Sequence, residues 1–109
     1  MQRVLSIVLA IANAPGGVVL IDEIENGLHY SVLKEVWQAI AQTARQSDVQ
    51  VFATTHSWEC LRAAHEAFAS EEQYDFRLLR LDRRGEEVEC LSYDRDMIET
   101  ALDKGLELR

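Results

Sequence analysis

Four consecutive aliphatic residues, Val18–Ile21, are the feature that most restricts the fold. A Pro-Gly-Gly turn precedes the run, and two acidic residues, Asp22 and Glu23, follow it at once. A short β-branched and aliphatic run bounded in this way is typical of a strand covered on both faces, as in a parallel sheet. The run therefore predicts an α/β fold built around a buried parallel strand.

The segment before this strand predicts a helix. Residues 2–13 contain no Gly or Pro and are apolar on nearly every face, which is typical of a helix enclosed by other elements. One basic residue followed by an apolar stretch also resembles a secretory signal peptide. However, the stretch runs directly into the first strand and is too short to span a bilayer. We therefore expect a buried helix and no membrane segment.

The pattern after the first strand predicts a β-α-β unit. Ser31 is the expected N-cap of an amphipathic helix, residues 49–55 form the expected second strand, and Ser57 is the expected N-cap of another helix. The positions expected to face inward are Leu33, Val36, Trp37, Ile40 and Ala44 in the first of these helices, and Leu61, Ala64 and Phe68 in the second. Strands joined through a helix in this way almost always lie parallel, with a right-handed crossover.

The last third of the chain predicts a hairpin and a short helix. Residues 69–75 are a polar linker, and residues 76–82 and 86–93 have the composition of strands separated by an Arg-Arg-Gly turn. A helix is expected from residue 94 or 95 to about Lys104, with Gly105 ending it. Its inward positions are expected to be Met97, Ile98, Ala101 and Leu102.

Length and charge exclude several classes of protein. The 109 residues suit a single domain, with residues 1–68 and 69–109 as its two portions. The 11 basic and 19 acidic side chains give a net charge of −8, which disfavours direct nucleic-acid binding. Cys60 and Cys90 have neither zinc-cluster nor disulfide-framework spacing, so a reduced, cytoplasmic setting is expected.

Functional side chains are expected where the two parallel strands end. Asp22 and Glu23 follow the first strand, and Thr54, Thr55, His56 and Ser57 end the second. Open α/β sheets bind ligands at the carboxyl edge of their strands, so these groups are expected to converge there. Four apolar residues followed by Asp-Glu match a Walker B segment, in which the first acid holds Mg²⁺ and the second polarises the attacking water. On this pattern alone, a strand that merely ends in solvated acids remains equally open.

Residues 22–29, Asp-Glu-Ile-Glu-Asn-Gly-Leu-His, together with residues 54–57, resemble the ATP-binding-cassette-type ATPases. The resemblance is to the AAA-like branch that includes the overcoming-lysogenisation-defect nucleases and relatives of the structural-maintenance-of-chromosomes (SMC) proteins. It covers residues 1–68 well and the remainder more loosely. It implies a P-loop NTPase-type partial sheet that forms the C-terminal half of an ATPase domain, with ATP and Mg²⁺ as ligands.

The resemblance also implies roles for individual residues. Asp22 takes the magnesium position, Glu23 that of the catalytic base, and His56 that of the switch histidine facing the γ-phosphate. The D-loop corresponds to Asn26, Gly27, Leu28 and His29, where His29 replaces the aspartate of transporter-type D-loops. Met1-Gln2-Arg3 resembles the end of the signature motif, so the chain is expected to start inside that motif.

One motif of the family is missing from these 109 residues. No Gly-Lys dipeptide occurs, so there is no G-x-x-x-x-G-K-[ST] loop to cradle phosphates, and the resemblance places that loop upstream. The isolated chain is therefore expected to be inactive. In complete family members two domains sandwich ATP, which implies a homodimer. Without the upstream half that would normally cover it, the apolar first helix would be exposed, which also predicts self-association.

Two other functions remain open. One is a non-catalytic interaction module that keeps the fold. The other is a metal-dependent hydrolase or nuclease that uses Asp22, Glu23, Glu25 and His56 without a nucleotide. Asp94 and Asp96 faintly resemble a nuclease acid pair, although Asp at a helix start is ordinary capping. For three further residues we expect structural roles, with His65 at the surface and Trp37 and Trp58 as packing anchors.

Overall fold

A computed structural model describes residues 2–71 and 73–103 of the chain. Within these ranges the elements are α1 (Gln2–Ala12), β1 (Val18–Ile21), a 3₁₀ turn (Tyr30–Val32), α2 (Leu33–Ser47), β2 (Gln50–Ala53), α3 (Trp58–Ala69), β3 (Leu78–Arg84), β4 (Glu87–Tyr93) and α4 (Arg95–Asp103). The strands form two separate pairs, β1 with β2 and β3 with β4.

The first pair is the predicted β-α-β unit. β1 and β2 are parallel, with Val18 opposite Gln50 and Ile21 opposite Ala53, and α2 connects them. Parallel strands need a crossover of this length, because the chain must return to the same end of the sheet. The α/β class predicted from the sequence is confirmed.

The main core lies on one face of this sheet. Residues of α1, α2 and α3 pack together there, and Val19, Ile21, Val51 and Ala53 face them from the strands. The opposite face is open in the described part of the chain, where Leu20 is 78% exposed and Phe52 is 44% exposed. The prediction of a strand covered on both faces is therefore wrong for these residues, because all three helices lie on the same side.

α1 is half covered, which corrects the prediction of an enclosed helix. Ile7 and Ile11 are buried in the core, whereas Leu5 and Leu9 are 59% and 50% exposed. Ile7 and Ile11 are four residues apart and therefore share one face of the helix. Within the described residues no helix is long and apolar enough to cross a membrane.

The start of α2 differs from the prediction. Ser31 lies inside the 3₁₀ turn, and α2 begins at Leu33 without a side-chain cap. His29 instead caps the 3₁₀ turn, since its Nδ1 accepts a hydrogen bond from the Ser31 backbone N–H at 3.2 Å. Ser57 does cap α3 as predicted, since its Oγ accepts from the Cys60 N–H at 3.2 Å. The expected inward positions of α2 and α3 are buried, except that Ala44 is half-buried.

The C-terminal hairpin is present with shifted boundaries. β3 begins two residues later than predicted and continues to Arg84, which pairs with Glu87, so the turn is Gly85 and Glu86. Gly85 has φ +65°, a conformation that glycine adopts without steric cost. α4 buries Ile98, Ala101 and Leu102, but Met97 is 47% exposed and was wrongly expected inside. The expected helix end at Lys104 and Gly105 lies outside the described residues.

The segment before β3 is anchored on the helices, which explains why Phe76 is not in the strand. Its ring stacks on Phe68 of α3 at 5.0 Å between centroids. Tyr74 places its hydroxyl 2.8 Å from Nδ1 of His65, a partly buried side chain on α3. Arg45 of α2 forms ion pairs with Glu71 and Asp75. These contacts hold the linker against the first half of the molecule.

Candidate functional site

The chain ends of β1 and β2 lie side by side. The parallel ladder continues past both strands, because Thr54 N–H donates to the Ile21 carbonyl at 2.9 Å and Ile24 N–H donates to the Thr54 carbonyl at 3.0 Å. The residues that follow the two strands therefore meet at one edge of the sheet. Asp22, Glu23 and His56 are all exposed at this edge.

Thr54 organises the two adjacent acids. Its Oγ1 accepts a hydrogen bond from the Glu23 backbone N–H at 2.8 Å and donates to Oδ1 of Asp22. The hydroxyl has one proton, and the backbone amide can only donate, so that proton belongs to the bond with Asp22. The Asp22 side chain is thereby fixed as an acceptor. The sequence places Thr54 at this edge without indicating its role, although a hydroxyl at a strand end opposite an acid pair is a signal for such a contact.

Glu23 has an unusual backbone conformation. Its φ of +49° lies in the left-handed region, which costs a residue with a Cβ atom about 1–2 kcal/mol. Its carbonyl accepts from the Asn26 N–H at 2.9 Å and from Nη2 of Arg3 at 3.2 Å. The same Arg3 nitrogen donates to the Asp22 carbonyl at 3.1 Å. Strained residues of this kind persist only where the surrounding bonds over-determine them.

The sequence predicts Arg3 only as the end of a signature motif. The structure adds that it joins the start of α1 to the turn holding both acids. Met1 and the side chain of Gln2, the other residues of that predicted motif, lie outside the described part of the chain.

The predicted D-loop follows as a series of tight turns. Leu28 N–H donates to the Glu25 carbonyl at 3.0 Å, and Gly27 adopts φ +78°. His29 ends the segment, and its Nδ1 lies 2.8 Å from the Ser31 hydroxyl as well as accepting the Ser31 N–H. In this chain, His29 is therefore bonded within its own loop.

Glu25 connects the two loops from the opposite direction. Its Oε1 accepts a hydrogen bond from the His56 backbone N–H at 3.3 Å. Partial burial acts to raise the pKa of Glu25, but hydrogen bonds from the Thr55 side chain and from backbone N–H groups outweigh it and lower the pKa below 4.5. Thr55 in turn accepts the Ser57 N–H at 3.0 Å.

The donor set fits a lightly coordinated hard cation. Mg²⁺ is commonly held by one or two carboxylates together with substrate phosphates, and Asp22 offers a fixed, exposed carboxylate of this kind. Across residues 2–71 and 73–103, no group of three or more His, Cys, Asp or Glu side chains could hold a metal ion. Asp94 caps α4, since its Oδ1 accepts the Met97 N–H at 3.0 Å.

A family model described as an AAA domain, putative AbiEii toxin, Type IV TA system, matches residues 1–61. The chain belongs to this AAA-domain family. The matched range includes α1, both strands of the parallel sheet and every residue that surrounds the acid pair. The resemblance to AAA-like ATPases inferred from the sequence motifs is thereby confirmed.

Two similar proteins extend the comparison beyond the matched range. An uncharacterised protein of Methanocaldococcus jannaschii is 35% identical over 112 residues, which include 99% of this AAA-domain chain and 95% of the relative. A solved structure from work on ATP-driven dimerization and DNA-stimulated activation of SMC ATPases superposes with a TM-score of 0.62 at 18% identity. The superposition covers 94% of this chain but 58% of the SMC ATPase chain. The fold is that of an AAA-like or SMC-like ATPase domain.

Proposed function

We propose that this AAA-domain chain forms the hydrolytic side of an ATP site. In this proposal, Asp22 holds Mg²⁺, Glu23 polarises the attacking water and His56 faces the γ-phosphate. The observation that carries the proposal is the pair of adjacent acids held by Thr54 at the carboxyl edge of a parallel sheet. The family match and the SMC-like fold support an ATPase domain in general.

The two acids differ in a way that suits separate roles. Asp22 has one oxygen tied to Thr54, which restricts its rotamers and leaves the other oxygen for a cation. A magnesium ion bound there would neutralise charge on the phosphates and position them for attack. Glu23 is held through its backbone instead, so that its exposed carboxylate remains available to orient a water molecule.

A second polypeptide segment is required for this chemistry. Phosphoryl transfer depends mainly on positioning and charge neutralisation, and a phosphate-binding loop with its lysine supplies much of both. The 109 residues contain no Gly-Lys dipeptide, so we infer that the phosphate cradle comes from outside them. The chain alone is expected to show neither magnesium-dependent ATP binding at submillimolar ligand nor phosphate release above a Glu23→Gln control.

Self-association forms part of the same proposal. Leu5 and Leu9 of α1 are exposed, and so are Leu20 and Phe52 on the open face of the sheet. Exposed apolar side chains of this size on two elements mark surfaces that proteins usually cover. Light scattering should detect dimers or larger species of the dilute chain, and a stable monomer would count against this part of the proposal.

The alternatives receive less support from the site. A nucleotide-independent metal hydrolase would need several ligands around one ion, whereas Glu25 accepts the His56 N–H and no suitable group of ligands lies in the described ranges. A non-catalytic interaction module would keep the fold without needing the arrangement around Glu23. The strained backbone at Glu23 therefore favours the ATPase over the interaction module.

The deciding experiment uses the chain together with a family member's segment that carries the phosphate-binding loop. Glu23→Gln should retain ATP binding while hydrolysis slows about 10²- to 10⁴-fold, the usual contribution of a positioned general base. Asp22→Asn should instead weaken the magnesium-dependent part of binding. Calorimetry and phosphate release measure the two effects separately.

Glu35→Gln is the matched control, because Glu35 is exposed in the first turn of α2 and lies outside the site. It should leave binding and hydrolysis unchanged. Hydrolysis by Glu23→Gln at the original rate would show that Glu23 is not the base. If neither the unsubstituted chain nor any variant hydrolysed ATP in the assembly, the interaction module would be favoured.

A further inference from the structure

Two side chains bond the loop after β1 to the loop after β2, and each loop supplies one of them. Thr54, on the β2 side, bonds to Asp22 and to the backbone of Glu23. Glu25, on the β1 side, accepts the backbone N–H of His56. Each loop therefore contributes one side chain that fixes the neighbouring loop.

The connection between these two bonds is short and rigid. Ile24 separates Glu23 from Glu25, is 1% exposed, and belongs to the main core. Its N–H is bonded to the carbonyl of Thr54 at 3.0 Å. A close-packed, hydrogen-bonded residue at this position allows little independent motion of the residues on either side. Displacement of one loop should therefore be transmitted to the other.

We propose that Thr54 and Glu25 are positioning residues that couple Glu23 to His56, so that the two loops move as one unit. The coupling itself is a property of the folded chain. Its catalytic consequence rests on the proposed function, in which Glu23 and His56 act on the same γ-phosphate. Thr54 also fixes the Asp22 carboxylate. The two side chains Thr54 and Glu25, called the clasp below, would thus hold Asp22, Glu23 and His56 in fixed relative positions.

Amide hydrogen exchange of the 109-residue chain tests the coupling without any nucleotide. Thr54→Val removes the acceptor of the Glu23 N–H, and this amide should exchange about twofold to tenfold faster, as expected for one lost hydrogen bond of ordinary net strength. If the loops are coupled, the His56 N–H should also exchange faster in this variant. Glu25→Ala should produce the reciprocal result, with faster exchange at both amides.

Conservative variants separate the clasp from general destabilisation. Thr54→Ser keeps the hydroxyl and Glu25→Gln keeps an acceptor oxygen, so both should restore protection. Thr43→Val is the matched control, because the Thr43 hydroxyl bonds to the Ala39 carbonyl within α2 and does not touch the site. It should leave both amides unchanged. If each variant affected only its own directly bonded amide, the two bonds would be independent and the inference would be overturned.

The assembled ATPase supplies a second readout. Thr54→Val should lower kcat and raise the Mg²⁺ concentration for half-maximal activity, while Thr54→Ser restores both and Thr43→Val changes neither. A general loss of stability would not produce this split. If Glu23→Gln abolishes hydrolysis but Thr54→Val matches the unsubstituted chain in kcat and Mg²⁺ dependence, the clasp is wrong and the ATP site stands. If Glu23→Gln has no effect, the proposed function fails instead, whatever the exchange data show.

Discussion

The two ends of the molecule reach their shapes by different means. In the first part, residues 2–71, three helices and the inner face of β1 and β2 share one core, in which Ile11 and Ile24 are almost completely buried. In the hairpin, by contrast, Leu81 is 69% exposed and Val88 is 65% exposed. Burial of apolar side chains thus determines the conformation of the part that carries the candidate site, whereas pairing between β3 and β4 determines that of the hairpin.

The contrast is sharpest at the junction between the two parts. The base of the hairpin is attached, since Leu78 and Tyr93 pack on a small cluster formed by Leu61 and Ala101. Beyond Leu81, none of the described residues of the hairpin tip belongs to either apolar cluster. Substitutions should therefore lose effect along the hairpin from base to tip, and the following predictions run from the largest expected effect to the smallest.

Ile24→Ala should have the largest effect on stability. Ile24 is 1% exposed in the main core, and truncation of a buried isoleucine to alanine costs about 2–5 kcal/mol. Urea unfolding followed by circular dichroism measures this change in the free energy of unfolding. A cost below 1 kcal/mol would mean that the core around the candidate site is loosely packed, which would remove the contrast with the hairpin.

Ser57→Ala should have an intermediate effect. The Ser57 hydroxyl caps α3, and loss of an N-cap costs about 0.5–2 kcal/mol. Ser92→Ala provides the control, because Ser92 is exposed on β4 and is not at a helix start. Thermal unfolding should give Ser57→Ala a midpoint temperature well below that of the parent chain, and Ser92→Ala the same midpoint as the parent chain. Equal losses would indicate that the cap contributes nothing particular.

Asp75→Asn should alter the pH dependence of stability. Hydrogen bonds from Arg45, opposed by partial burial, lower the pKa of Asp75 below 3.8, so the ion pair stabilises the fold above that pH and the contribution disappears as the pH falls below it. Asp75 is 38% exposed, so the effect should stay below about 1 kcal/mol. Unfolding at pH 6 should separate the two proteins, and the difference should shrink as the pH falls further below 3.8. A difference that stays constant as the pH falls would contradict the ionic origin.

Leu81→Ser should have the smallest effect, within about 0.5 kcal/mol, because Leu81 is 69% exposed near the end of the hairpin. The same urea unfolding measurement provides the test. A cost similar to that of Ile24→Ala would show that the hairpin is covered in solution, for example by another copy of the chain. The comparison between the two regions would then hold only for the isolated monomer.

The sequence predicted most of the first region because its signals are local and redundant. The run Val18–Ile21, the acids after it and the spacing of Leu33, Val36 and Ile40 agree on the same β-α-β unit. Ser57 is predicted as a cap because serine is among the preferred N-cap residues, and its hydroxyl does cap α3. The AAA-like relation followed from motifs that span both loops, and it is confirmed by the family match.

Other features could not be read from local patterns. Ser31, predicted to cap α2, lies instead inside a 3₁₀ turn that precedes α2 and is capped by His29. Periodicity identified which residues of α1 are apolar but not which of its faces would meet α2. The role of Thr54 depends on a partner 32 residues away in the sequence. The sequence places its hydroxyl at a strand end opposite the acid pair but does not specify the bond to Asp22. Whether Asp22, Glu23 and His56 perform the proposed chemistry remains a prediction.

If Glu23 acts as proposed, its left-handed backbone places stability and activity in conflict at a single position. Glycine adopts φ +49° without penalty, so Glu23→Gly would relieve strain worth about 1–2 kcal/mol while removing the carboxylate. Selection for folding alone would therefore accept or enrich glycine at this position, and selection for ATP hydrolysis would reject it. A library randomised at residue 23 can be sorted for folding in the isolated chain and for ATP hydrolysis in the assembly with the phosphate-binding segment. The two sorts should diverge at this position, and the glycine variants selected for folding should be inactive.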